Sequence, residues 1–532
     1  MDLRKLGSAW VLGYALVAMP AMGEEAPPIP DKPAAEQFKD VPAPWRDYLI
    51  KARAAERIAD PLQRCLAYPD IPGNQWPGGH AAAHCRDHAI KVLTLVELAA
   101  YVDGGDFTGL GQRLDAYLQR HFSDADFGED IHYVFDQFIR ADGEADRISA
   151  QWLARQPDGA YANLARASFY QGAAATARGG KYAAQTPRDN LRRMTEFVDK
   201  AVPLFERAAE LAPRLMPAYT GMLDVATMDS RPELEQRAVA LASKQDPACL
   251  YMAKERMRAL EPRWGGSYEE MLSLDAELSA LVAKRPQLAV YLGAPYGDRG
   301  RAMIADEQRD EETAAILDIA VRMGSNEAYL EDAANVAFNA KDKAKDQWKA
   351  LAYLLQETRF RKAGIWTYRN IAHMLVRLEP EWSLRNAFIA EKLAPDESFL
   401  QYLIAAGYYN THRYDEAEKH YLVALQDPQQ RQASLRELVT MWMFDAGLEH
   451  KAGALKARPY LDRLLAEYPK DGRAWMYRTT SDATIHGTVS NDVVQSFLRN
   501  ADRDDPRQAG LARRIEEGMK HPEIRTRAEN SP

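Results

Sequence analysis

The chain has 532 residues, of which 46% are hydrophobic and 27% charged, and its formal net charge at pH 7 is −9. This length exceeds one ordinary hydrophobic core, so we expect several domains or one elongated array of repeats. The negative charge disfavours nucleic acid and anionic membranes as partners, because such ligands require a basic face that displaces counterions from phosphates.

The first 23 residues have the pattern of a secretory signal peptide. Arg4 and Lys5 precede an uncharged stretch at 6–18, and the small residues Ala21 and Gly23 stand at the −3 and −1 positions of a cleavage site. The apolar stretch is too short to span a membrane, and no later stretch reaches 18 apolar residues. We therefore predict cleavage after Gly23 and export to a bacterial periplasm or to the exterior, without membrane insertion.

Residues 45–155 are predicted to form a helical N-terminal cap. The pattern predicts helices at 45–59 and 80–101, with a Pro/Gly loop at 68–79 between them. Cys65 and Cys85 are plausible disulfide partners in an oxidising compartment. Their bridge would close a loop of about 20 residues, contribute roughly 3 kcal/mol and pin the loop across the second helix.

The middle of the chain predicts further helices joined by loops. The period of the apolar residues predicts helices at 127–140, 145–155, 161–177, 197–211 and 268–283 and successive helices over 311–477. Glycine-rich stretches at 103–111 and 293–300 are predicted connectors, and an insertion is predicted at 178–190. Ser267, followed three residues later by Glu270, predicts a capping box before the helix at 268.

Residues 399–428 predict two helices folded back on each other. The first is predicted at 399–409, and the second begins at Tyr414 after a break. In the second helix, apolar residues recur at steps of three and four and form one stripe, which consists of Ala417, Tyr421, Ala424 and Leu425. Pro428 is predicted to end this helix, because it lacks an N–H group and its ring clashes with the previous turn.

This layout resembles the tetratricopeptide repeat, a helix-turn-helix unit with a period of 34 residues. The same second-helix signature recurs at Ala201, Phe205 and Ala208, and Pro247 lies 34 residues after Pro213. The resemblance implies an all-α fold, namely an α-solenoid of tetratricopeptide-like helix-turn-helix repeats with a helical N-terminal cap.

A second resemblance is to an uncharacterised family of exported bacterial proteins, filed as a domain of unknown function. It rests on the stretch from Cys65 to Trp76, on the insertion before a repeat helix and on Pro-Arg-Trp-Gly-Gly-Ser at 262–267. It implies the same architecture and address but no chemistry. The predicted division is signal peptide 1–23, proline-rich leader 24–44, helical N-terminal cap 45–155, irregular repeats 156–300, helical repeats 301–500 and charged tail 501–532, whose last ten residues we expect to be disordered.

His80, His84 and His88 are spaced four residues apart, so they share one face of their predicted helix. Two histidines at this spacing can chelate zinc, with a further ligand from elsewhere in the fold. The alternative is a polar helix face beside the disulfide, and it is favoured because no glutamate stands at the His-Glu-x-x-His position. We therefore predict no metal and no cofactor, with these three histidines as the candidates if a metal is bound.

The sequence motifs of nucleophilic and nucleotide-dependent catalysis are absent. The chain contains no Gly-x-Ser-x-Gly, Ser-x-x-Lys, Cys-x-x-Cys or Walker loop. The acidic residues at 124–130 do not fit an EF-hand, because its twelfth position is Phe135. We therefore predict a protein that is not an enzyme.

Four aromatic residues are candidates for a ligand groove. Tyr368, Tyr402 and Trp442 each lie near the start of a predicted first helix, at about the fifth repeat position. In the tetratricopeptide family that position faces the concave groove in which peptides lie. A slip of one residue would place these side chains in the core between helices, which is the favoured alternative, and Tyr409 has the same two interpretations.

These observations predict a periplasmic, non-catalytic scaffold of helical repeats that binds a protein or peptide partner. A specific form of this hypothesis is an immunity-type protein that masks a toxin, which suits the export signal and the acidic charge. The alternative is an envelope enzyme that uses a metal at His80, His84 and His88.

Overall fold

The computed structural model describes residues 27–33, 37–125, 128–343 and 345–520. Within these residues every regular element is a helix. The described helices form two compact units, an N-terminal unit of Ile29–Leu378 and a C-terminal unit that begins at Glu379. The predicted signal peptide at 1–23 and the predicted disordered last ten residues lie outside the described residues.

The described residues of the N-terminal unit contain eighteen α-helices. They are α1 Trp45–Glu56, α2 Pro61–Ala67, α3 His80–His88, α4 Leu95–Gly104, α5 Phe107–Ser123, α6 Asp130–Ile139, α7 Gly143–Arg155, α8 Ala160–Arg178, α9 Arg188–Leu211, α10 Met216–Met228, α11 Pro232–Gln245, α12 Leu250–Ala259, α13 Tyr268–Leu281, α14 Ala294–Ala305, α15 Glu311–Met323, α16 Glu327–Asn339, α17 Gln347–Phe360 and α18 Ile365–Leu375.

The described residues of the C-terminal unit contain eight α-helices. They are α19 Pro380–Leu393, α20 Ser398–Asn410, α21 Tyr414–Ala424, α22 Pro428–Thr440, α23 His450–Glu467, α24 Gly472–His486, α25 Asn491–Asn500 and α26 Pro506–Lys520. A π-helical turn at Met441–Asp445 follows α22 directly.

Consecutive helices pack against each other in pairs within each unit. In the N-terminal unit α8 packs on α9, α10 on α11, α14 on α15 and α16 on α17, and in the C-terminal unit α20 packs on α21 and α23 on α24. Each pair buries an apolar stripe that neither helix could bury alone. The pairing confirms the predicted all-α fold, an α-solenoid of helix-turn-helix units.

The unit predicted at 399–428 is formed by α20 and α21. The predicted stripe of the second helix is buried, with Ala417, Tyr421 and Ala424 at 0% exposure and Leu425 at 1%. The prediction for Pro428 is wrong, because α21 ends at Ala424 and Pro428 is instead the first residue of α22. Proline suits that position because the first N–H of a helix has no intrahelical acceptor and because its φ is already helical.

The single helix predicted at 80–101 is wrong, because two helices occupy this range. α3 ends at His88, and α4 begins at Leu95 after a capping box in which Thr94 accepts a hydrogen bond from the backbone N–H of Glu97. The side chain of Glu97 accepts in return from the backbone N–H of Thr94, at 2.7 Å. This Thr-x-x-Glu pattern starts a new helix inside an uninterrupted apolar pattern.

Both predicted glycine-rich connectors are wrong for most of their length, because they contain helix. Only Gly105 and Asp106 separate α4 from α5 within the first connector, and α14 occupies all but Gly293 of the second. Gly297 lies in α14 against the ring of Tyr329, where an added Cβ would approach ring atoms to 2.5 Å. The glycine there allows a close approach between helices rather than a loop.

The predicted start of the helix at 197–211 is also wrong. α9 begins at Arg188 rather than at 197, so the insertion between α8 and α9 shrinks to 179–187 and contains a 3-10 turn at Ala183–Gln185. The charged tail predicted at 501–532 is compatible with α26, whose first turn has Pro506. Phe127, the predicted first residue of the helix now placed at Asp130–Ile139, lies outside the described residues.

The predicted disulfide is formed between Cys65 on α2 and Cys85 on α3, with a Cα–Cα distance of 5.7 Å. Both cysteines are buried, and the bridge fixes α3 to α2. The third cysteine, Cys249, is free and buried. Among the described residues, no helix combines the length and the apolar character that a membrane span requires.

Candidate functional site

The three histidines that share a spacing of four residues lie on α3. This nine-residue helix follows Gly79, whose φ of 82° favours glycine. Exposure increases along the row, from 0% at His80 to 3% at His84 and to 38% for the side chain of His88. The row therefore leads from the interior to the surface.

Hydrogen bonds join His80 to His84 through Ser325, which precedes α16. Nδ1 of His80 lies 2.9 Å from the carbonyl oxygen of Pro286, and its Nε2 lies 2.7 Å from Oγ of Ser325. The same Oγ lies 2.7 Å from Nδ1 of His84. Ser325 is fully buried, so both of these histidines are its polar partners.

These contacts fix where the protons lie. The carbonyl of Pro286 can only accept, so Nδ1 of His80 carries a proton. Burial lowers the pKa of His80 to about 3, so its Nε2 is bare and accepts the hydroxyl proton of Ser325. The oxygen of Ser325 then accepts from Nδ1–H of His84. In neutral His84, therefore, Nε2 has a free lone pair.

That lone pair points at a carboxylate and a second imidazole. Nε2 of His84 lies 3.2 Å from Oε1 of Glu327, the first residue of α16, and 3.1 Å from Nε2 of His88. Nε2 of His88 lies 2.9 Å from the same carboxylate oxygen. Three potential metal-ligating atoms thus meet at one point. We call His84, His88 and Glu327 the open cluster.

The charges in the open cluster follow from burial and from mutual attraction. Burial lowers the pKa of His84 even though Glu327 opposes this shift. Burial disfavours ionised Glu327, but His84 and His88 outweigh it and hold the pKa of that carboxyl well below its usual range. Glu327 also lies in the first turn of α16, where the helix dipole favours a carboxylate. At neutral pH the open cluster therefore combines an anionic carboxylate with a neutral His84.

Aromatic packing and the disulfide hold the open cluster rigidly. The ring of Phe360 stacks on His84 with centroids 4.2 Å apart. Trp76 packs edge-on against His80 and donates from Nε1 to the carbonyl of Val321, at 3.0 Å. Cys85 is the residue after His84, so the disulfide restrains α3 next to this potential metal-ligating residue.

A second histidine–carboxylate cluster is fully buried elsewhere in the N-terminal unit. His121 and His132 belong to it, with Nε2 of His121 3.1 Å from Oδ2 of Asp246 and Nδ1 of His132 2.8 Å from Oε2 of Glu129. The guanidinium of Arg285 lies between the two carboxylates, 2.6 Å from Glu129 and 3.2 Å from Asp246. We call these five residues the closed cluster.

The closed cluster is neutralised within the chain. Burial opposes ionisation of Glu129, but His132, His121 and Arg285 together hold the pKa of its carboxyl well below the usual range. The pKa of Asp246 is also lowered, because the hydrogen bond from His121 and the charge of Arg285 outweigh burial. Burial raises the pKa of the Cys249 thiol, so that thiol is unreactive.

A cavity of about 300 Å³ adjoins the closed cluster and is lined in part by His132, Asp136, Tyr251 and Lys254. The ring of Tyr251 stacks on His132 with centroids 4.3 Å apart, and its hydroxyl donates to Asp136. Two of the polar groups of the wall, Tyr251 and Asp136, thus satisfy each other.

Sequence reasoning identified His84 and His88 but missed their partners. Glu327 lies 239 residues after His88 in the chain, and no local pattern connects the two. Ser325 and Asn326 precede α16 and could be recognised as a helix start, since Asn326 accepts from the backbone N–H of Ala328. A cap signal does not reveal that the next residue faces a histidine.

The four predicted groove residues are divided between the two units. Tyr368 is half-buried on α18 of the N-terminal unit, whereas the other three belong to the C-terminal unit. Tyr402 stacks on Phe399 with centroids 6.0 Å apart and contacts Tyr421 edge-on. Trp442 is only 4% exposed, so its ring is mostly packed.

Two of those residues, Tyr409 and Trp442, belong to a continuous set of rings. Ring centroids of Tyr409 and Tyr414 lie 6.1 Å apart, and those of Tyr414 and Trp442 lie 6.3 Å apart. Nζ of Lys456 lies 3.3 Å from the centroid of Trp442. We define the aromatic patch as Tyr409, Tyr414, Trp442 and Tyr460 with the acidic residues Glu418 and Asp445.

Acceptors on the same patch hold the polar ends of these rings. Nε1 of Trp442 and the hydroxyl of Tyr460 both donate to Glu418, at 3.0 and 2.6 Å. The hydroxyl of Tyr409 donates to the carboxylate of Asp445, and that of Tyr414 donates to the carbonyl of the same residue at 2.6 Å. The rings are thus held in fixed orientations.

The fold and its contacts define the class of protein as an all-α helical-repeat protein with a histidine–carboxylate cluster. No protein-family model and no curated protein matches the chain. Among solved structures, the chain is similar to the TPR domain of P58(IPK), with 13% identity, coverage of 74% of this chain and 98% of that chain, and a TM-score of 0.23. A likeness of this size carries no argument, and the fold rests on the helix pairs themselves.

Proposed function

We propose that this chain is a non-catalytic helical-repeat scaffold that binds a protein segment on the aromatic patch of its C-terminal unit. The observation that carries the proposal is the hydrogen bonding of all four rings to Glu418 or Asp445. The three tyrosine rings are partly exposed and already immobilised, so they lose little conformational entropy when a partner covers them, and the buried Trp442 supports them. Tyrosine and tryptophan are also among the residues that contribute most to protein interfaces.

Exposed apolar side chains near the aromatic patch in sequence support this proposal. Phe444 is 50% exposed, Leu448 43% and Leu455 52%. Phe444 belongs to the π-helical turn that also contains Trp442, and its ring lies 5.6 Å from that of Tyr477. Large apolar groups that are left in water beside fixed aromatic rings are characteristic of a surface that another protein covers.

The proposal also includes the cellular compartment of the protein and the kind of partner that it binds. The predicted signal peptide and the Cys65–Cys85 disulfide favour an oxidising compartment, the periplasm or the exterior. The net charge of −9 favours a basic partner. A specific form of the proposal is an immunity-type protein that masks a basic toxin. It requires a one-to-one complex in which the toxin loses its activity.

The test begins with cross-linking of the protein in its native envelope and identification of the captured partner by mass spectrometry. The partner is then purified, and its affinity is measured for the wild type and for the double variant Phe444→Asp and Leu448→Asp. Both side chains are exposed, so the variant keeps its fold. We expect binding to fall at least about 100-fold, since two apolar contacts become buried charges.

Val96→Asp is the matched control, because Val96 is 79% exposed on α4 of the N-terminal unit. It introduces the same kind of charge away from the aromatic patch and leaves binding unchanged. Equal losses in the control and the double variant, or no loss in either, would contradict the proposed surface.

A further inference from the structure

We propose that His84, His88 and Glu327 bind one divalent transition-metal ion, best matched by zinc, with a fourth position open to solvent beside His88. This site goes beyond the proposed scaffold function and does not depend on it. It uses two imidazole nitrogens and one carboxylate oxygen, a ligand set that zinc accepts. The geometry of these three atoms and the position of the protons around them both favour a bound cation.

The spacing of the ligand atoms fits a tetrahedral ion. Zinc bonds of about 2.0–2.1 Å in tetrahedral geometry place two ligand atoms about 3.3 Å apart. Nε2 of His84 lies 3.1 Å from Nε2 of His88 and 3.2 Å from Oε1 of Glu327. Nε2 of His88 lies 2.9 Å from the same oxygen. Outward movements of a few tenths of an ångström would bring these distances to the tetrahedral value.

The hydrogen bonds behind the ligand atoms prepare His84 for a metal ion. Its Nδ1–H donates to Ser325, whose own proton goes to His80, so Nε2 of His84 directs a lone pair toward Glu327. Two acceptors then face each other at 3.2 Å. A bound cation satisfies all three atoms at once. Metal-ligating histidines commonly make a hydrogen bond of this kind through the ring nitrogen that does not bind the ion.

The surrounding charges favour a cation. The carboxylate of Glu327 forms ion pairs with His84 and His88. The guanidinium of Arg359, on the helix that carries Phe360, is paired with Asp70 at 2.7 Å. The carboxylate of Glu327 can attract a divalent ion from the side on which His88 is partly exposed.

The closed cluster does not compete for the same ion. His121, Glu129 and His132 could also supply three ligand atoms, but Arg285 already lies 2.6 Å from Glu129. A metal ion there would have to displace a buried guanidinium, which would then lose one of its two carboxylate partners.

The test uses protein that is purified without a polyhistidine tag and stripped with a chelator. Zinc binding is measured by competition with a chromophoric chelator, and the Co²⁺ form is studied by visible absorption. We expect one zinc per chain and a tetrahedral Co²⁺ spectrum. Glu327→Gln and His88→Ala should each weaken zinc binding more than about 100-fold. This loss exceeds the roughly 10–100-fold loss that is typical when a residue that supports a metal ligand, without contacting the ion, is replaced.

Ser325 is a positioning residue, so Ser325→Ala should weaken zinc binding by about 10–100-fold without loss of stoichiometry. His486→Gln changes a histidine on α24 of the C-terminal unit and serves as the matched control, with unchanged zinc affinity. Circular dichroism and thermal melting confirm that each variant is folded. His88→Ala is preferred to a change at His84 because its side chain is 38% exposed.

Two results would overturn the proposal. One is equal zinc affinity in the wild type and in folded Glu327→Gln. The other is zinc binding that survives Glu327→Gln and is lost in Glu129→Gln, which would place the ion in the closed cluster.

Discussion

The open and closed clusters of the N-terminal unit are built from the same chemical groups but are neutralised differently. Each has two histidines that face carboxylates at 2.8 to 3.2 Å. In the closed cluster the positive partner of the carboxylates is a guanidinium, that of Arg285. In the open cluster the carboxylate of Glu327 is paired with two imidazoles. A buried carboxylate requires a positive partner. The closed cluster has one within the chain, whereas a bound metal ion could supply one in the open cluster.

The two clusters also differ in access to solvent. All members of the closed cluster are buried, and Arg285 is 5% exposed. The open cluster ends at His88, whose side chain is 38% exposed. The first arrangement suits permanent stabilisation and the second suits an exchangeable ligand.

The largest expected effect is the loss of the internal cation. Arg285→Met leaves Glu129 and Asp246 buried without their guanidinium, and we expect the free energy of unfolding to fall by about 3–5 kcal/mol. Chemical denaturation monitored by circular dichroism measures the change. Arg147→Met, which breaks exposed ion pairs with Asp103 and Glu144, is the control and should leave the unfolding midpoint nearly unchanged. A loss at Arg285 no larger than that of the control would contradict the structural role of the closed cluster.

The disulfide should have the next largest effect. The double variant Cys65→Ser and Cys85→Ser removes a cross-link over a sequence separation of 20 residues. We expect a loss of about 3 kcal/mol in the free energy of unfolding. Because Cys85 follows His84, zinc affinity should fall as well, whereas the same double variant should leave binding at the aromatic patch unchanged. Unchanged zinc affinity would show that the disulfide does not position the ligand.

Zinc should stabilise the wild type by a comparable amount. At a free zinc concentration of 100 times Kd, linkage predicts about 2.7 kcal/mol of added stability. Glu327→Gln should show no such increase, and Glu129→Gln should keep the full increase even though its starting stability is lower. Denaturation curves with and without zinc test both statements. A zinc-dependent increase in folded Glu327→Gln would argue against the open cluster as the site.

The smallest effect concerns pH and the closed cluster. The pKa values of Glu129 and Asp246 are lowered in the folded state, so their contribution to stability is present above the ordinary carboxyl range near pH 4. That contribution is lost as the pH falls through the lowered pKa values. The stability difference between the wild type and Glu129→Gln, measured by denaturation at each pH, should therefore shrink below about pH 4. A difference that is constant from about pH 7 to about pH 3 would contradict the lowered pKa of Glu129.

Much of the fold could be predicted from the sequence because apolar periodicity reports directly on helix packing. The stripe of Ala417, Tyr421 and Ala424 is fully buried as predicted. The same signal failed at 80–101, since periodicity does not separate two successive helices, although the Thr94–Glu97 cap was visible in the sequence. The prediction of a loop at Gly297 also failed. Glycine suggests a loop in a sequence, whereas this glycine permits close packing between two helices.

The candidate site could be predicted only in part. Spacing placed His84 and His88 on one face, because the helical repeat is local. Glu327 and Arg285 are brought in by tertiary packing from distant segments, and the sequence contains no local trace of those contacts. The decision between metal ligand and structural pair depends on the presence or absence of a guanidinium, which only the folded chain shows.

Anomalous diffraction from crystals of the zinc-loaded protein, with data collected on both sides of the zinc absorption edge, tests the open cluster as a metal site most directly. We predict one peak per chain, about 2.0–2.1 Å from Nε2 of His84, Nε2 of His88 and Oε1 of Glu327. A peak among His121, Glu129 and His132, or no peak with direct contacts retained between His88 and Glu327, would contradict this site.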